Sequence, residues 1–306
     1  MSPNSKADGM LNVWTIEHLR GSAPDHLPTA IRLAVLGDPV SHSLSPEMQN
    51  AGLVARDMPF QYTRLWVKSG DLAEVFSRLR EREFVGWNLT VPHKVAALGL
   101  VDVVDRAASR VGAINTVVNR SGSLVGFNTD GAGLLAALRE SFSLDLGSSR
   151  IAVLGAGGGA GMTAAIFLLD QNPRQLLLAN RTRAKLDQFR SLIGQDDRVS
   201  FWPWEKLGEV FARADLIINA SSVGLAGHVL DWDSHWLEPR HRVFDMMYGS
   251  KPTAVLNWAA GTGASAVDGA SMLLHQGAAA FGHWFGPPVP EAAMRAALYR
   301  KLEGRS

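Results

Sequence analysis

The sequence predicts an α/β fold of two domains, and three observations carry that prediction. Residues 150–163 (RIAVLGAGGGAGMT) read as strand, glycine turn and helix. From residue 150 to about 266, short apolar runs alternate with helical patterns, as in a parallel sheet with crossover helices. The length of 306 residues suits about two domains.

Apolar residues make up 46% of the chain and charged residues 19%, which supports a substantial core and argues against disorder. The 30 Lys and Arg balance 29 Asp and Glu, for a net charge of +1. Such a balance favours neither nucleic acid nor an anionic membrane as the main partner. There is no cysteine, which excludes disulfides, thiolate catalysis and Cys-ligated zinc. The histidines show no metal-ligand spacing, so no metal is expected. The opening MSPNSKADGM lacks the apolar core of a signal peptide, and no apolar run is as long as a membrane span. A cytoplasmic location is the expectation.

Residues 1–30 form an extension with one short amphipathic element around Val13, Trp14, Ile16 and Leu19, then a connector at residues 23–28. It reads as a packing arm or as a contact in a homodimer. The run at 31–36 (IRLAVL) is a strand, and SHSLSP follows its turn. Pro46 suits the first turn of a helix with Ser45 as its N-cap. Ser43 lies outside that cap, and hydroxyls clustered after a strand can bind a polyol or a carboxylate. Strands are expected at 60–67 and 84–89, with a helix at 71–82 between them. A helix beginning near Pro92 would hold Lys94 in its first turn. The dipole there disfavours a cation and lowers a lysine's pKa, which suits proton transfer; a solvated lysine is the plainer alternative. Residues 111–118 read as a strand bearing Asn115 and Thr116. A helix at about 132–141 follows NTDG, with Thr129 or Asp130 as N-cap.

In the second half, Gly155 permits the tight turn and Gly157 lets backbone approach a pyrophosphate, while small Ala160 lets helix and strand pack closely. The helical pattern runs over 162–169. Further strands are expected at 175–179, 215–220, 243–248 and 264–267. In NAD-binding folds of the Rossmann type, an acidic residue after the second strand holds the ribose 2′-hydroxyl. Here the positions hold Asn180, Arg181, Thr182 and Arg183. Two arginines favour a 2′-phosphate, at about 1.5–3 kcal/mol per charge-assisted hydrogen bond, unless they only face solvent. Gln276 is a polar residue on an alanine-rich helix reaching about Phe285, and a terminal helix occupies 291–302.

Nine motifs occur in a telling order: SHSLSP (41–46), NLTVPHK (88–94), GAINT (112–116), GFNTDG (126–131), GAGGGA (155–160), NRTR (180–183), INASSVG (218–224), DMMY (245–248) and DGASMLLHQG (268–277). Together they resemble the shikimate dehydrogenase family across nearly all of residues 31–286. Leu89 stands where Val is usual, Ala226-Gly227-His228 is a variant of a variable loop, and residues 1–30 have no counterpart. The resemblance implies a substrate-binding domain from 31–130 and 269–306 and a Rossmann NADP domain from 131–268, with the C-terminal helices returning to the first domain. It implies Lys94 and Asp130 as the catalytic pair, and Ser43, Ser45, Thr90, Asn115, Tyr248 and Gln276 as substrate contacts. It implies NADP contacts at Gly155, Ala156, Gly157, Gly158, Gly159, Asn180, Arg181, Thr182 and Arg183 and on to Lys185, with Met246 and Gly269 on the nicotinamide side.

The implied reaction is reversible reduction of 3-dehydroshikimate to shikimate with NADPH, without a metal. A quinate/shikimate enzyme or another polyol-acid oxidoreductase is the near alternative, and Asn180-Arg181 argues against the NAD-using form. A non-catalytic sensor of the same ligands is the more distant one, and the presence of Lys94 and Asp130 argues against it.

Overall fold

The computed structural model describes residues 13–23, 27–221, 223, 232–249 and 251–304. Residues 1–12, 24–26, Ser222 and the segment 224–231, with Gly224 and the 226–228 loop, therefore lie outside the described residues. The chain divides into two units, Met1–Thr129 with Gly277–Lys301, and Asp130–Gln276 with Leu302–Ser306.

Unit 1 begins with β1 (Val13–Trp14) and α1 (Ile16–Arg20). It continues with β2 (Ile31–Gly37), α2 (Ser45–Ala55), β3 (Gln61–Trp66), α3 (Leu72–Glu81) and β4 (Gly86–Leu89). Then come β5 (Val103–Val104), α4 (Arg106–Val111), β6 (Thr116–Arg120) and β7 (Ser123–Phe127). Its strands form one sheet in the order β1-β3-β2-β4-β6-β7-β5. The β1, β3, β2 and β4 ladders are parallel, whereas β4–β6 and β6–β7 are antiparallel. Leu36, Leu65 and Trp87 from the sheet pack with Val75, Phe76 and Leu79 of amphipathic α3, and Phe76 meets Trp87 edge-on at 5.1 Å.

Two expectations change here. The extension is a packing arm over its described part: Val13 and Trp14 add a parallel strand to the β3 edge, and Arg20 pairs with Glu74 of α3. The strand expected at 111–118 starts only at Thr116. Val111 ends α4, which Asp105 caps through the Ala107 N–H, and Gly112 closes it at φ 69°. β6 and β7 then form a hairpin across Ser121 and Gly122, both at positive φ, as a two-residue turn requires.

Unit 2 contains α5 (Asp130–Ser141), β8 (Arg150–Leu154), α6 (Gly159–Leu169), β9 (Gln175–Asn180), α7 (Arg183–Ile193), β10 (Val199–Pro203) and α8 (Leu207–Arg213). After these come β11 (Leu216–Asn219), β12 (Arg242–Asp245), α9 (Ala254–Ala260), β13 (Ser265–Val267) and α10 (Ala270–Phe285). The sheet order is β10-β9-β8-β11-β12-β13, every ladder parallel. Counting from β8, this is the 3-2-1-4-5-6 order of a doubly wound dinucleotide fold. The β8 residues 151–154 are wholly buried, as a central strand covered on both faces must be. α10 passes into unit 1 at Gly277, and α11 (Glu291–Glu303) lies in unit 1 as far as Lys301.

Candidate functional site

In unit 1 the candidate residues gather where β2 and β4 end. α2 begins at Ser45 with Leu44 at the N-cap, so Ser45 is not the cap. The Ser43 hydroxyl instead accepts the Ser45 N–H at 3.3 Å, which supplies the local role that Ser43 lacked in the sequence pattern. Thr90 follows β4; its N–H donates to Leu36 O (2.8 Å), and its methyl lies against Gly37. A Cβ at Gly37 would stand 2.4 Å from that methyl.

Two backbone hydrogen bonds clamp the NLTVPHK segment to the GAINT segment: Leu89 N–H to Asn115 O and Ile114 N–H to Lys94 O, each 2.8 Å. Between them lies a buried amide and hydroxyl network. The Tyr62 hydroxyl donates to Asn88 Oδ1 (2.7 Å), and Asn88 Nδ2 donates to Asn115 O (3.1 Å) and to Thr116 Oγ1 (3.0 Å). Asn115 Nδ2 donates to Thr129 Oγ1 (2.9 Å), and its Oδ1 accepts the Thr129 N–H (2.7 Å). Burial pushes the Tyr62 phenol well up, so it stays protonated and serves as the donor.

Lys94 does not lie in an α-helix. Residues 91–95 form turns, and only a short 3₁₀ segment, Ala96–Leu100, follows. Buried His93 anchors these turns: its Nε2 donates to Val67 O at 2.7 Å, and its N–H turns back to Thr90 O. Burial lowers the His93 pKa, so the ring is neutral and structural. No helix dipole therefore acts on Lys94, which lies half-buried with its carbonyl bonded to Ile114 N–H of GAINT.

In unit 2, Gly155 follows β8 at φ 82°, and a Cβ there would stand 2.8 Å from the Ser221 backbone after β11. This is the switch point between β8 and β11, where such sheets bind ligands. Gly157 faces the end of β9: a Cβ on it would lie 2.5 Å from Lys185 Cβ and 3.0 Å from Asn180 Nδ2. α6 starts at Gly159, earlier than the apolar pattern indicates, with Gly158 at the N-cap and no side-chain cap. Ala160 is exposed and is not the residue that permits close packing. That position is Gly161, where a Cβ would meet Gly155 O at 2.3 Å. Asn180 Nδ2 donates to Thr182 O (3.0 Å). Arg181 and Arg183 are exposed, with no ion pair or side-chain hydrogen bond among the described residues.

Met246 and Gly269 meet at another corner of unit 2. Gly269 N–H donates to Met247 O (2.9 Å), and a Cβ on Gly269 would lie 2.4 Å from Met246 O. Tyr248 follows in the same loop, half-buried. Gln276 is buried on α10, with Nε2 donating to Leu273 O (2.9 Å), and Gly133 of α5 packs against its backbone. Asp130 is the buried first residue of α5, so that helix starts two residues before the expected one. Its neighbour Gly131 is small because Phe167 of α6 fills the space.

Other contributors were not among the expected site residues, although Asp245 opens DMMY and Asn88 opens NLTVPHK. Asp245 is buried beneath the Met246 loop, where it accepts from Asn219 Nδ2 (2.9 Å), Thr253 Oγ1 (2.6 Å) and Met247 N–H (3.2 Å). Burial pushes its carboxyl up, against those hydrogen bonds. Tyr62, which lies in no motif, and Asn88, the first residue of NLTVPHK, likewise contribute to the buried network. Polar residues inside otherwise apolar strands were the available signal. Among the described residues, no group of three or more His, Asp or Glu could hold a metal ion.

The sheet order and glycine loop define unit 2 as a dinucleotide-binding α/β module, joined in sequence to a mixed-sheet unit rich in buried hydroxyls and amides. Family models agree. Residues 35–117 match the shikimate dehydrogenase substrate binding domain, 136–227 the shikimate/quinate 5-dehydrogenase model, and 269–299 the shikimate 5′-dehydrogenase C-terminal domain. The NADP(+) shikimate dehydrogenase of Moorella thermoacetica is 38% identical over 284 residues, covering 90% of this chain and 94% of that protein. The structure of shikimate dehydrogenase from Aquifex aeolicus matches with TM-score 0.81 and 31% identity, over 89% of this chain and 99% of that one. That of shikimate 5-dehydrogenase from Thermus thermophilus in complex with NADP(H) and shikimate matches with TM-score 0.78 and 34% identity, over 88% and 99%. The chain belongs to the shikimate dehydrogenase family.

Proposed function

We propose that this protein catalyses the reversible NADPH-dependent reduction of 3-dehydroshikimate to shikimate in aromatic amino-acid biosynthesis. The observation that carries the reading is the backbone clamp that lays Thr90 and Lys94 alongside Asn115, over a buried network of donors and acceptors. Several fixed polar groups suit a small polyol acid, because an analogue lacking one hydroxyl leaves a partner unpaired.

NADPH would supply the hydride when bound. The residues present fit it. The slot at Gly157 admits no side chain, α6 has no side-chain cap, and two exposed arginines follow β9. Gly155, Ala156, Gly157, Gly158 and Gly159 would hold the pyrophosphate. Asn180, Arg181, Thr182 and Arg183 would hold the 2′-phosphate and its ribose, with Met246 and Gly269 at the nicotinamide. Lys94 gives its ammonium proton to the substrate oxygen as the carbonyl becomes a hydroxyl, and Asp130 supplies the carboxylate of the acid–base pair. Ser43, Ser45, Thr90, Asn115, Tyr248 and Gln276 bind the substrate's hydroxyls and carboxylate. We assign the enzyme to the cytoplasm; no helix among the described residues is long and apolar enough to cross a membrane. Sedimentation decides whether it is a homodimer.

The test is turnover of shikimate and of quinate, each with NADP and with NAD, followed by nicotinamide absorbance. Shikimate with NADP is expected to give the highest kcat/KM. Quinate with NAD as the best pair would overturn the reading, and tight shikimate binding without turnover would put a sensor in its place.

A further inference from the structure

Behind the hydroxyl loop of unit 1 lies an ion pair that no motif marks. Arg64 of β3 and Glu47 of α2 are paired, with Arg64 Nη2 at 2.9 and 2.8 Å from the two Glu47 carboxylate oxygens. Their side chains are only 4% and 13% exposed, so this is not a solvated surface pair. The same guanidinium donates from Nε (2.9 Å) and Nη2 (2.5 Å) to the carbonyl of Ser43. Arg64 thus joins the helix that starts at Ser45 to the loop that precedes it.

The loop is held at every backbone group of Ser43. Its N–H donates to Val40 O (3.1 Å), its carbonyl accepts from Arg64, and its hydroxyl accepts the Ser45 N–H. A hydroxyl that accepts in this way keeps its own O–H to give to a ligand. Tyr62 lies two residues before Arg64, on the same face of β3. One face of one strand therefore holds Tyr62 in the amide network at Asn88 and Arg64 at the Ser43 carbonyl.

We propose that Arg64, clamped by Glu47, is a positioning residue for substrate recognition: it sets the Ser43 carbonyl, and so the direction in which the Ser43 and Ser45 hydroxyls are presented. This rests on the proposed role of the two serines as shikimate contacts. A guanidinium is planar and its Nε and Nη2 both donate to the Ser43 carbonyl, so it holds that carbonyl at a fixed angle. Lysine at this position supplies a point charge without the fork, and so cannot bond Ser43 and Glu47 in the same geometry.

The experiment compares wild-type protein with Arg64→Met, Arg64→Lys and the double variant Glu47→Leu/Arg64→Met, by steady-state kinetics and thermal denaturation. The double variant guards against misfolding, because an apolar pair can replace a buried ion pair without loss of stability. In each folded variant the KM for shikimate should rise about tenfold or more, with kcat at saturation within about threefold and the KM for NADP unchanged. Only a positioning role yields that split; a purely structural one moves Tm alone, or all parameters together. A folded double variant with wild-type KM for shikimate would overturn the proposal. Wild-type protein that turns over shikimate beside such a variant leaves the proposed function standing. Wild-type protein that neither binds nor turns over shikimate overturns both.

Discussion

A Cβ on Gly161 would stand 2.3 Å from the carbonyl oxygen of Gly155, so the first turn of α6 rests directly on the loop that precedes it. Gly155 cannot yield, being at φ 82° and backed by the Ser221 backbone. Gly161→Val should therefore push α6 off the loop. Overpacking of this kind costs about 1–3 kcal/mol. We expect a lower Tm and, from displaced N–H groups, an NADP Kd raised about tenfold or more, with little change in shikimate affinity. Titration with NADPH and a thermal melt check this. Wild-type NADP affinity in that variant would show that the loop does not depend on the contact.

Lys94→Ala should lower kcat by about 10²–10⁴-fold while shikimate still binds. The fold should survive, because the local tie to GAINT uses the Lys94 carbonyl, which alanine keeps. Single-turnover kinetics beside a shikimate titration separate the two effects. Near-normal turnover would remove Lys94 as the acid.

The chemistry-bearing residues of this chain are more legible than the local structure that carries them. Lys94 stands out by its motif, yet Pro92 suggests a helix where residues 91–95 form turns around buried His93. Ser45 before Pro46 suggests a cap, yet the cap falls one residue earlier and Ser43 supplies the hydroxyl. Ala160 fits the glycine fingerprint by count, but the helix start decides which small residue faces the loop, and that is Gly161. β10 carries no strong pattern because it is an edge strand, half-exposed and interrupted by Ser200. Arg64 and Glu47 are illegible for a further reason, as is the part that Asp245 plays within DMMY. Their roles arise from long-range pairings, Arg64 with Glu47 across 17 residues and Asp245 with Asn219 across 26, which no local spacing encodes.

Arg181→Ala with Arg183→Ala should weaken the preference for NADP over NAD. Both side chains are exposed and have no competing partner among the described residues, so the 2′-phosphate would be their main anion. At about 1.5–3 kcal/mol per charge-assisted hydrogen bond, loss of even one contact predicts a tenfold to hundredfold fall in the NADP/NAD ratio of kcat/KM. The ratio measured at fixed shikimate checks this, and an unchanged ratio would take both arginines out of the cofactor site.

Glu74 of α3 should give unit 1 an acid-side weakness. It accepts from Arg20 of α1 at 3.0 and 2.6 Å and from Arg78 at 2.7 Å. The Arg20 hydrogen bond, followed by that from Arg78, holds its carboxyl down at about 2. An unfolded chain returns it to about 4.3. The folded value is the lower one, so the contribution is complete above the unfolded pKa and is lost as pH falls from about 5 towards 2. The pair is exposed, so its effect should shrink as salt rises. Glu74→Gln should flatten the fall of Tm over that window at low salt and match the wild-type slope above it. Equal slopes for both proteins below pH 5 would show that the arm formed by β1 and α1 is held by Trp14, Ile16 and Leu19 in the core alone.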